Sequence, residues 1–465
     1  MANNGCGTVA PEENCSPVRL PFMLNNSDFL DAMYNAFDPF EPLPAGDSAY
    51  VDCRKVRGDE DIKKDLGNKI RRSDRMTCQL YAGHRGAGKS TELLRLKQYL
   101  EEENFWVVYF GADAEDIDPE ETEYTDILLA CTRHLLDSLK DIANPTPLLN
   151  WLASRWQELQ DLALTEIAFD NLSLEAQLAQ FAKITTNLRL DPTKRHQIRE
   201  KVNPHTVTLI EALNEFIREA KQQLPEERQQ LAVIVDNLDR IVPVPQPSGQ
   251  TNHEEIFVDR SAQLQALDCH LVYTIPISLA YSKRAADLRD IYGDLQVLPM
   301  IMVQTRDGNA YEPGINKVKE AIAKRVEPFV ENRALAPDIF DSDDTIRRLC
   351  QMSGGHLRNL LLLVQQAVSH TDDLPISARS VQRSITQARD TYRRTVENEE
   401  WPILAEVSRS KKILNDDRYR NLAFRRCLLE YRDFDSQGEM QRWYDVHPLI
   451  QGITEFKEAL GNNQP

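Results

Sequence analysis

TCQLYAGHRGAGKS, which runs from Thr77 to Ser90, joins a short apolar run to a glycine-rich loop. The apolar half, Thr77–Gly83, predicts a buried strand. The apolar positions of Lys89–Glu103 then recur with helical spacing, and Phe105–Phe110 (FWVVYF) is aromatic and β-branched, which predicts a second strand. A strand, a glycine loop, a helix and a strand in this order predict the beginning of a parallel α/β sheet.

The loop Gly83–Ser90 (GHRGAGKS) matches the pattern G-x-x-x-x-G-K-[ST]. Its glycines let successive N–H groups point at a phosphate, Lys89 is placed to reach the β- and γ-phosphates, and the Ser90 hydroxyl is placed to hold Mg²⁺. We expect His84 and Arg85 to be exposed at the tip of the loop. The alternative, an ordinary glycine-rich turn, is disfavoured by the strand before the loop and the helix after it. The predicted nucleotide-binding residues are Gly83, His84, Arg85, Gly86, Ala87, Gly88, Lys89, Ser90 and Thr91.

A second motif, VIVDNLDR at Val233–Arg240, follows the pattern of a buried strand that ends in an acidic residue. Because sites in open α/β sheets lie at the carboxyl ends of strands, we assign Asp236 to Mg²⁺, directly or through its water. Asn237 follows where a carboxylate would serve as general base, so slow turnover is expected. Asp239 is the nearest acidic substitute, and a helix cap or an ion pair with Arg240 explains it equally well.

These two motifs, in the forms GHRGAGKSTEL and VIVDNLDR, resemble the AAA+-related signal-transduction ATPases, the STAND and KAP-type NTPases, which are kin to origin-recognition initiators. The resemblance covers roughly residues 45 to 455. It implies that ATP and Mg²⁺ are bound, that ATP is hydrolysed to ADP and phosphate, and that the chain assembles into a homo-oligomer.

The resemblance also implies roles for single residues outside the two motifs. Thr274, in VYTIP, falls where the family places a polar sensor of the γ-phosphate, although threonine is also a common strand residue. Arg358, in SGGHLRNLLLLV at Ser353–Val364, would reach the phosphates from a lid, or would be an ordinary surface arginine. Tyr50–Ile62 resembles the segment that packs on adenine, or is a packed strap. The candidates for an arginine finger from a neighbouring subunit are Arg260, Arg284 and Arg325.

The rest of the chain predicts a multidomain α/β protein with a parallel-sheet P-loop ATPase core. Further strands are predicted at Leu231–Val235 and Cys269–Ile275, with a weaker fifth at Leu295–Val303 because Pro299 interrupts it. The predicted helices of the insertion include Ile127–Ile142, one around Trp151–Leu164, and Thr206–Gln223. The predicted domains are a flexible tail and strap (1–44), the core (45–315) with a helical insertion at about 122–230, a helical lid (316–398), and a winged-helix-like domain (399–465).

Composition limits the setting and the partners. The chain of 465 residues has 55 Lys and Arg against 73 Asp and Glu, a net charge of −18 that repels nucleic acid outside a local basic patch. Residues 408–426 form one such patch, which meets DNA or is a solvated face. There is no apolar run long enough for a membrane span, no secretory signal, and no CxxC pair, so a cytoplasmic protein without a membrane partner is expected.

The leading functional hypothesis is a regulatory ATPase of low turnover, in which the bound nucleotide drives self-assembly and signalling to a separate effector chain. The resemblance implies sensors of bacterial conflict systems, including antiphage defence. The alternative is a DNA-binding ATPase of the initiator or transposition-regulator type that uses the C-terminal winged helix. A nucleotide-dependent scaffold without useful turnover is a third option.

Overall fold

The computed structural model describes residues 25–155, 173–228, 230–330 and 333–461. Its central sheet has five strands in the order β2-β3-β4-β1-β5, and every pairing is parallel. The predicted sheet is therefore confirmed, but the fifth strand is short and ends before Pro299, which has no N–H to donate. The strands are β1 Cys78–Gly83, β2 Phe105–Gly111, β3 Gln230–Asp236, β4 His270–Ile275 and β5 Gln296–Leu298.

Helices of eight or more residues are numbered in chain order. They are α1 Asn26–Ala36, α2 Lys89–Glu102, α3 Tyr124–Leu139, α4 Thr146–Ala153, α5 Leu174–Leu190, α6 Pro192–Val202, α7 Thr206–Gln223, α8 Ala285–Tyr292, α9 Glu312–Val326, α10 Asp343–Met352, α11 Leu357–Ser369, α12 Ala378–Thr395, α13 Trp401–Ser410, α14 Asp417–Phe424 and α15 Thr454–Gly461. Shorter helical turns are Asn68–Arg72, Ala112–Glu115, Asn252–Glu254, Ser261–Leu264, Ile277–Ala280 and Pro448–Gln451. Among the described helices, none is both long and apolar enough to cross a bilayer.

The helices α3 to α7 lie between β2 and β3, as the predicted insertion requires. The predicted helix at Ile127–Ile142 is α3, and Thr206–Gln223 is α7 with the same bounds. The helix predicted around Trp151–Leu164 begins earlier, as α4, and its second half lies outside the described residues. Buried leucines and isoleucines on one face of α3 and α7 join the core of the sheet, so the insertion packs on the sheet rather than forming a separate body.

The amino-terminal segment contains a helix that the sequence analysis missed. Within the stretch predicted as flexible tail and strap, α1 is capped by Asn25, whose side chain accepts from Asp28 N at 2.9 Å. Phe29 and Met33 are fully buried in a core shared with the lid helices. The proline-rich strap after α1 consists of residues 37–44. It contacts α2, where Leu43 N donates to the Thr91 hydroxyl. From residue 25 onward, this segment therefore consists of a packed helix and a strap.

The helices α9 to α12, which we call the lid helices, share one core. The C-terminal unit, residues 401–461, consists of α13, α14, an antiparallel hairpin and α15; the hairpin strands are β6 Leu428–Phe434 and β7 Met440–Val446. Tyr431 and Trp443 stack with ring centroids 4.4 Å apart and are buried in a cluster with Tyr81 of β1. Met300 N donates to Glu430 O at 2.9 Å. The hairpin is thus joined to the edge of the central sheet.

Candidate functional site

A pocket opens at the carboxyl ends of β1 and β3, where the glycine loop begins and where the second motif leaves its strand. Counted together with the solvent at its mouth, the pocket has a volume of about 1250 Å³. The strap, the loop, the end of β3, α9 and α11 all contribute walls. The lining residues are Pro39, Phe40, Glu41, Pro42, Leu43, Ala49, Tyr50, Val51, Cys53, Arg57, Arg85, Gly86, Gly88, Lys89, Ser90, Thr91, Glu92, Tyr109, Asp236, Asn237, Asp239, Arg240, Ala321, Arg325, Leu357, Arg358, Leu360 and Leu361.

Lys89, at the start of α2, is buried and held inside the loop. Its ammonium donates to the carbonyl oxygens of Gly83 at 2.9 Å and His84 at 3.1 Å. It also forms an ion pair with Asp239, with Nζ 2.8 Å from Oδ2. Both predicted residues therefore lie in one place, and Asp239 holds the position that a phosphate oxygen would take when Lys89 binds it.

Asp236 is fully buried at the end of β3, and each of its oxygens has a donor. Asn237 N donates to Oδ1 at 2.6 Å, and the Tyr109 hydroxyl donates to Oδ2 at 2.9 Å. Ser90 and Asp236 line the same pocket, and the Ser90 hydroxyl is near enough to lower the pKa of this carboxylate, so the two residues predicted to hold Mg²⁺ lie together. Burial, helped by the neighbouring Asp239 carboxylate, raises the pKa of Asp236 above its usual range.

A serine hydroxyl beside a carboxylate is an oxygen donor set of the kind that suits Mg²⁺. In the described part of the chain, no group of three or more His, Cys, Asp or Glu side chains could hold a metal ion by itself. A magnesium ion at Ser90 and Asp236 would therefore need further oxygens from phosphates or water, as Mg²⁺ sites in nucleotide-binding proteins do. The residues present fit such an ion.

Asn237 occupies a turn rather than a strand position. Its φ of +66° is in the left-handed region, which asparagine adopts at lower cost than most residues. Thr274, at the end of β4, is fully buried, and its hydroxyl accepts from Leu238 N at 2.9 Å and donates to Val235 O at 3.4 Å. Thr274 does not line the pocket. It holds the turn that carries Asp236, so a contact with the γ-phosphate remains only a prediction.

The prediction that His84 is exposed at the loop tip was wrong: its side chain is 1% exposed and does not line the pocket. Its Nδ1–H donates to Ala423 O at 3.2 Å, and its Nε2 accepts from Glu430 N at 3.1 Å. Both partners belong to the C-terminal unit. Burial lowers the pKa of His84 to about 4, so the ring is neutral at physiological pH. The loop tip is covered by residues that lie far along the chain, which the local sequence could not show. Arg85, the next residue, is half-buried and does line the pocket.

The amino-terminal end of α11 is hydrogen-bonded to the same loop. Arg358 N donates to Gly86 O at 3.1 Å, and His356 Nε2–H donates to Arg85 O at 2.6 Å. His356 Nδ1 accepts from Asn359 N, which fixes the ring tautomer. Gly86 has a φ of +86°, and a Cβ there would lie 2.6 Å from His356 Cε1. Only glycine therefore allows the loop and the lid to approach this closely.

Arg358 lines the pocket, as predicted for a residue that reaches from the lid, and its Nε donates to Pro39 O at 3.2 Å. Burial, together with the cations Arg240, Arg426 and Arg85, lowers its pKa to about 10. Crowding of guanidinium groups is unfavourable unless an anion lies among them. The position fits a phosphate contact from the lid.

Four arginines give the pocket its positive charge. Arg57, Arg85, Arg325 and Arg358 line it, and none of them forms an ion pair with a carboxylate in the described part of the chain. Arg57 donates instead to Ala87 O at 3.2 Å, and its Nε is buried without a partner. In a chain whose net charge is −18, this pocket concentrates cations around a phosphate-binding loop.

The three arginine-finger candidates have different surroundings. Arg325 lines this chain's own pocket and donates to Ala36 O at 2.8 Å. Arg284 pairs with Asp259 and Asp287. Arg260 is exposed and lies over a tyrosine ring of α3, with the guanidinium carbon 5.0 Å from the ring centroid.

The segment predicted to pack on adenine does reach the pocket. Tyr50, Val51, Cys53 and Arg57 are among the residues that line it. The Tyr50 ring is covered by the Arg95 guanidinium, whose carbon lies 4.3 Å from the ring centroid. The segment is therefore placed to contact a base, and that role stays a prediction.

The basic patch at 408–426 is partly neutralised within the chain. Four of its seven cations form ion pairs: Lys411 with Asp445, Arg418 with Asp416, Arg420 with Asp417, and Arg425 with Glu400. Arg409 and Lys412 are exposed. The seven cations and two aspartates of this stretch sum to +5, and Asp445 and Glu400, which lie outside it, reduce that to about +3.

Sequence reasoning missed Tyr109, Arg57 and His356 as parts of the site. Tyr109 belongs to β2, which pairs with β3 so that Tyr109 lies opposite Ile234 and Gly111 lies opposite Asp236. The strand pattern FWVVYF was visible, but its adjacency to β3 was not. With the sheet order known, a tyrosine two residues before the end of the neighbouring strand would have indicated a partner for Asp236.

Solved structures give three similarities that extend along most of the chain. Cdc6p from Pyrobaculum aerophilum is 12% identical with a TM-score of 0.38, over 93% of this chain and 98% of that one. The ORC2 protein of Aeropyrum pernix, solved as ADPNP–ADP complexes, is 9% identical with a TM-score of 0.39, over 92% and 96%. A Walker-type ATPase of Pyrococcus abyssi is 13% identical with a TM-score of 0.39, over 91% and 99%.

At TM-scores below 0.5, these similarities carry no argument about this chain. No protein-family model matches the chain, and no curated protein matches it in sequence. What its own residues define is a P-loop α/β core: a parallel sheet, a glycine loop after β1, and a buried acidic residue at the end of β3.

Proposed function

We propose that this chain is an ATPase of low turnover in which the bound nucleotide controls how the phosphate loop, the lid helices and the C-terminal unit are held together. The observation that carries the proposal is the set of arginines at positions 57, 85, 325 and 358, which surround Lys89 without carboxylate partners. A triphosphate would supply a counter-charge to these four arginines, with which no carboxylate forms an ion pair in the described part of the chain.

On nucleotide binding, Lys89 exchanges the Asp239 carboxylate for phosphate oxygens, while the loop amides contact the same anion. A Mg²⁺ ion held by Ser90 and Asp236 would neutralise charge on the β- and γ-phosphates. Asp239, released from Lys89, becomes the nearest carboxylate able to orient water and take its proton. Asn237 can position water through its amide but cannot accept the proton, which supports slow turnover.

The switch part of the proposal is supported by contacts that meet at the loop. His84 ties the loop to the C-terminal unit, and His356 ties it to the lid. Movement of the loop around a γ-phosphate would change hydrogen bonds to both bodies at once. The nucleotide state therefore biases their arrangement by the difference in its contacts.

Substitution of Lys89 and Asp236 tests the nucleotide site. Lys89→Ala should abolish tight ATP binding, because the described pocket offers no second lysine, and Asp236→Ala should keep part of the binding but lose Mg²⁺-dependent phosphate release. Lys97→Ala, on the same helix but paired with Glu101, is the matched control and should leave both unchanged. Retained micromolar affinity in Lys89→Ala, measured by calorimetry, would contradict the site.

We extend the proposal to self-assembly and to a separate effector chain, in keeping with the resemblance to signal-transduction ATPases and its link to antiphage defence. Light scattering of the chain with ADP or with a non-hydrolysable ATP analogue tests the first step. A larger particle with the ATP analogue supports it, and equal mass in both states rejects it. Binding of ATP without phosphate release would favour the scaffold alternative.

The alternative function, a DNA-binding ATPase that uses the C-terminal unit as a winged helix, depends on the patch at 408–426. The double variant Arg409→Glu with Lys412→Glu tests that patch, because both side chains are exposed and neither forms an ion pair in the described structure. Lys411→Glu is less suitable, because it would place a like charge against the buried Asp445. Salt-sensitive DNA binding that is lost in the double variant would favour this alternative. DNA binding that is unchanged in it would remove the patch from consideration.

A further inference from the structure

One face of α12 carries a stripe of arginines. At 100° per residue, Arg379, Arg383, Arg389 and Arg393 fall within about 120° of arc and extend over about 21 Å of helix. They line a groove that continues against residues 452–453 of the C-terminal unit. Arg379, Arg383 and Arg393 are exposed, and Arg389 is half-buried at the floor of the groove.

Most of this charge is not compensated within the described part of the chain. Arg379 and Arg383 form no ion pair there. Arg393 pairs with Glu455 at 3.1 Å, and Asp390, the acidic residue in the lining, pairs with Arg394 on the outer side. The groove therefore presents a net positive surface on a chain whose overall charge is −18.

Arg389 is the most constrained member of the stripe. Its Nε is buried without a partner, and its Nη2 lies 3.9 Å from Met352 Sδ. Burial and the nearby Arg348 lower its pKa, so the guanidinium lies beside a like charge instead of a carboxylate. A Cβ at Gly452 would come within 2.2 Å of Arg389 Cζ. The glycine therefore makes room for a cation that has no anion in the described structure.

The form of the surface indicates the ligand. Arginines in a line about 21 Å long match a regularly spaced polyanion better than a single phosphate. Apart from the imidazole of His370, no aromatic ring lines the described groove, so unstacked bases of a single strand find no platform. The backbone of a B-form DNA duplex presents regularly spaced phosphates along which an exposed helix face can lie without entering a groove.

We propose that the arginine stripe on α12 and the groove beside it bind the phosphate backbone of duplex DNA. The stripe lies on the lid, apart from the basic patch at 408–426, and it does not include any residue of the nucleotide pocket. The inference goes beyond the proposed nucleotide function and stands without it. Binding is sequence-independent, because the contacts go to phosphates and not to base edges.

The test compares charge reversals in the full-length chain. Fluorescence anisotropy with a duplex of about 20 base pairs at about 50 mM salt should show binding whose log K falls with log salt at a slope of about −3. Arg379→Glu with Arg383→Glu should weaken that binding at least tenfold. Arg71→Glu with Arg72→Glu changes the net charge by the same amount on the helical turn before β1 and should leave the affinity within about twofold.

Arg379→Ala with Arg383→Ala gives a milder second variant, expected to reduce affinity several-fold, in case charge reversal prevents folding as judged by circular dichroism. Equal losses in the stripe and control variants, loss only in Arg409→Glu with Lys412→Glu, tighter binding of single-stranded DNA or duplex RNA, or no binding at about 50 mM salt would each overturn the proposal. Lys89→Ala keeps the stripe intact. DNA binding that survives in Lys89→Ala therefore supports the groove even if the proposed ATPase function fails.

Discussion

Asp236 shows how the side chains around a buried carboxylate hold it in place before any ligand binds. The Tyr109 hydroxyl occupies one of its oxygens, and burial and the Asp236 carboxylate both raise the pKa of the Tyr109 phenol, which therefore stays protonated and donates. A buried carboxylate without donors would take up a proton or turn aside. Tyr109 thus acts as a positioning residue for the predicted magnesium ligand.

Tyr109→Phe removes only this hydroxyl. We expect the rate of phosphate release to fall roughly tenfold, in line with the effect of losing a hydrogen bond to a metal ligand, while ATP affinity in the absence of Mg²⁺ changes little. The Mg²⁺ concentration that gives half the maximal rate should rise. Tyr99→Phe, on α2 with its hydroxyl bonded to Asn68, is the control and should leave the rate unchanged. An unaltered Mg²⁺ dependence in Tyr109→Phe would contradict the positioning role.

The Lys89–Asp239 ion pair gives a second prediction. Asp239→Asn removes the carboxylate that competes with phosphate for Lys89, so ATP should bind about tenfold more tightly while phosphate release becomes slower. Because breaking a buried pair leaves an unpaired charge, the nucleotide-free protein should lose about 3 kcal/mol of unfolding free energy. Calorimetry and urea unfolding measure the two effects. Weaker ATP binding together with unchanged stability would show that the pair does not restrain the lysine.

At this scale the sequence predicted the residues whose positions follow from local geometry. Lys89, Ser90 and Asp236 are placed by a loop, a helix start and a strand end, each of which leaves a short-range pattern. The orientation of the His84 side chain could not be predicted from the sequence, because its partner Ala423 is 339 residues away. Its burial depends on a contact between elements that no local spacing records.

At the scale of elements, the phosphate loop is held from two sides. The amino-terminal end of α11 bonds to its backbone, and the C-terminal unit receives the His84 ring between α14 and β6. A neutral, buried histidine in this position makes the contact sensitive to pH. The folded-state pKa of about 4 lies below the ordinary value of 6.5, so the unfolded chain binds the proton more readily.

Stability should therefore fall as pH falls through this window, starting near 6.5 and ending near 4. His84→Asn, which keeps a donor for Ala423 O, should reduce the loss of unfolding free energy between pH 7 and pH 5 by about 2 kcal/mol. His253→Asn removes another buried histidine whose pKa is lowered to about 4, away from the pocket. Both variants should change the pH slope, but only His84→Asn should change ATP affinity. An identical slope in wild type and His84→Asn, from urea unfolding at each pH, would contradict the assignment.

The elements themselves were predictable to different degrees. β1 to β4 carry apolar, β-branched runs bounded by loops, and their predicted positions were right to within one residue at each end. The fifth strand was predicted too long, since apolar residues continue after Pro299 in a segment that is buried without being a strand. The helix α1 was missed although Phe29, Leu30 and Met33 recur with helical spacing, because the segment lies between a polar tail and a proline-rich strap and packs on lid helices that are distant in the sequence.

At the scale of the whole molecule, positive charge is concentrated in two places although the net charge of the chain is negative. The chain carries −18 overall, yet four arginines of the pocket (Arg57, Arg85, Arg325, Arg358) and three of the groove on α12 (Arg379, Arg383, Arg389) form no ion pair in the described structure. Such clusters oppose folding by like-charge repulsion and are relieved by an anion. Composition could predict the average charge but not these clusters, because their members come from separate segments or from one face of a helix.

Because the lid and the C-terminal unit both hold the phosphate loop, nucleotide binding should stabilise the whole chain as one body. A non-hydrolysable ATP analogue at 100 times its Kd adds about 2.7 kcal/mol to the unfolding free energy, a shift of a few degrees in Tm for a chain of this size. Tryptophan fluorescence reports on the central sheet and on the C-terminal unit, since Trp106 lies in β2 and Trp443 in β7. We expect one transition that moves upward with ligand, a smaller shift in Arg358→Ala, and none in Lys89→Ala. A separate transition of the C-terminal unit that ignores the ligand would show that the contacts at His84 do not couple the nucleotide site to it.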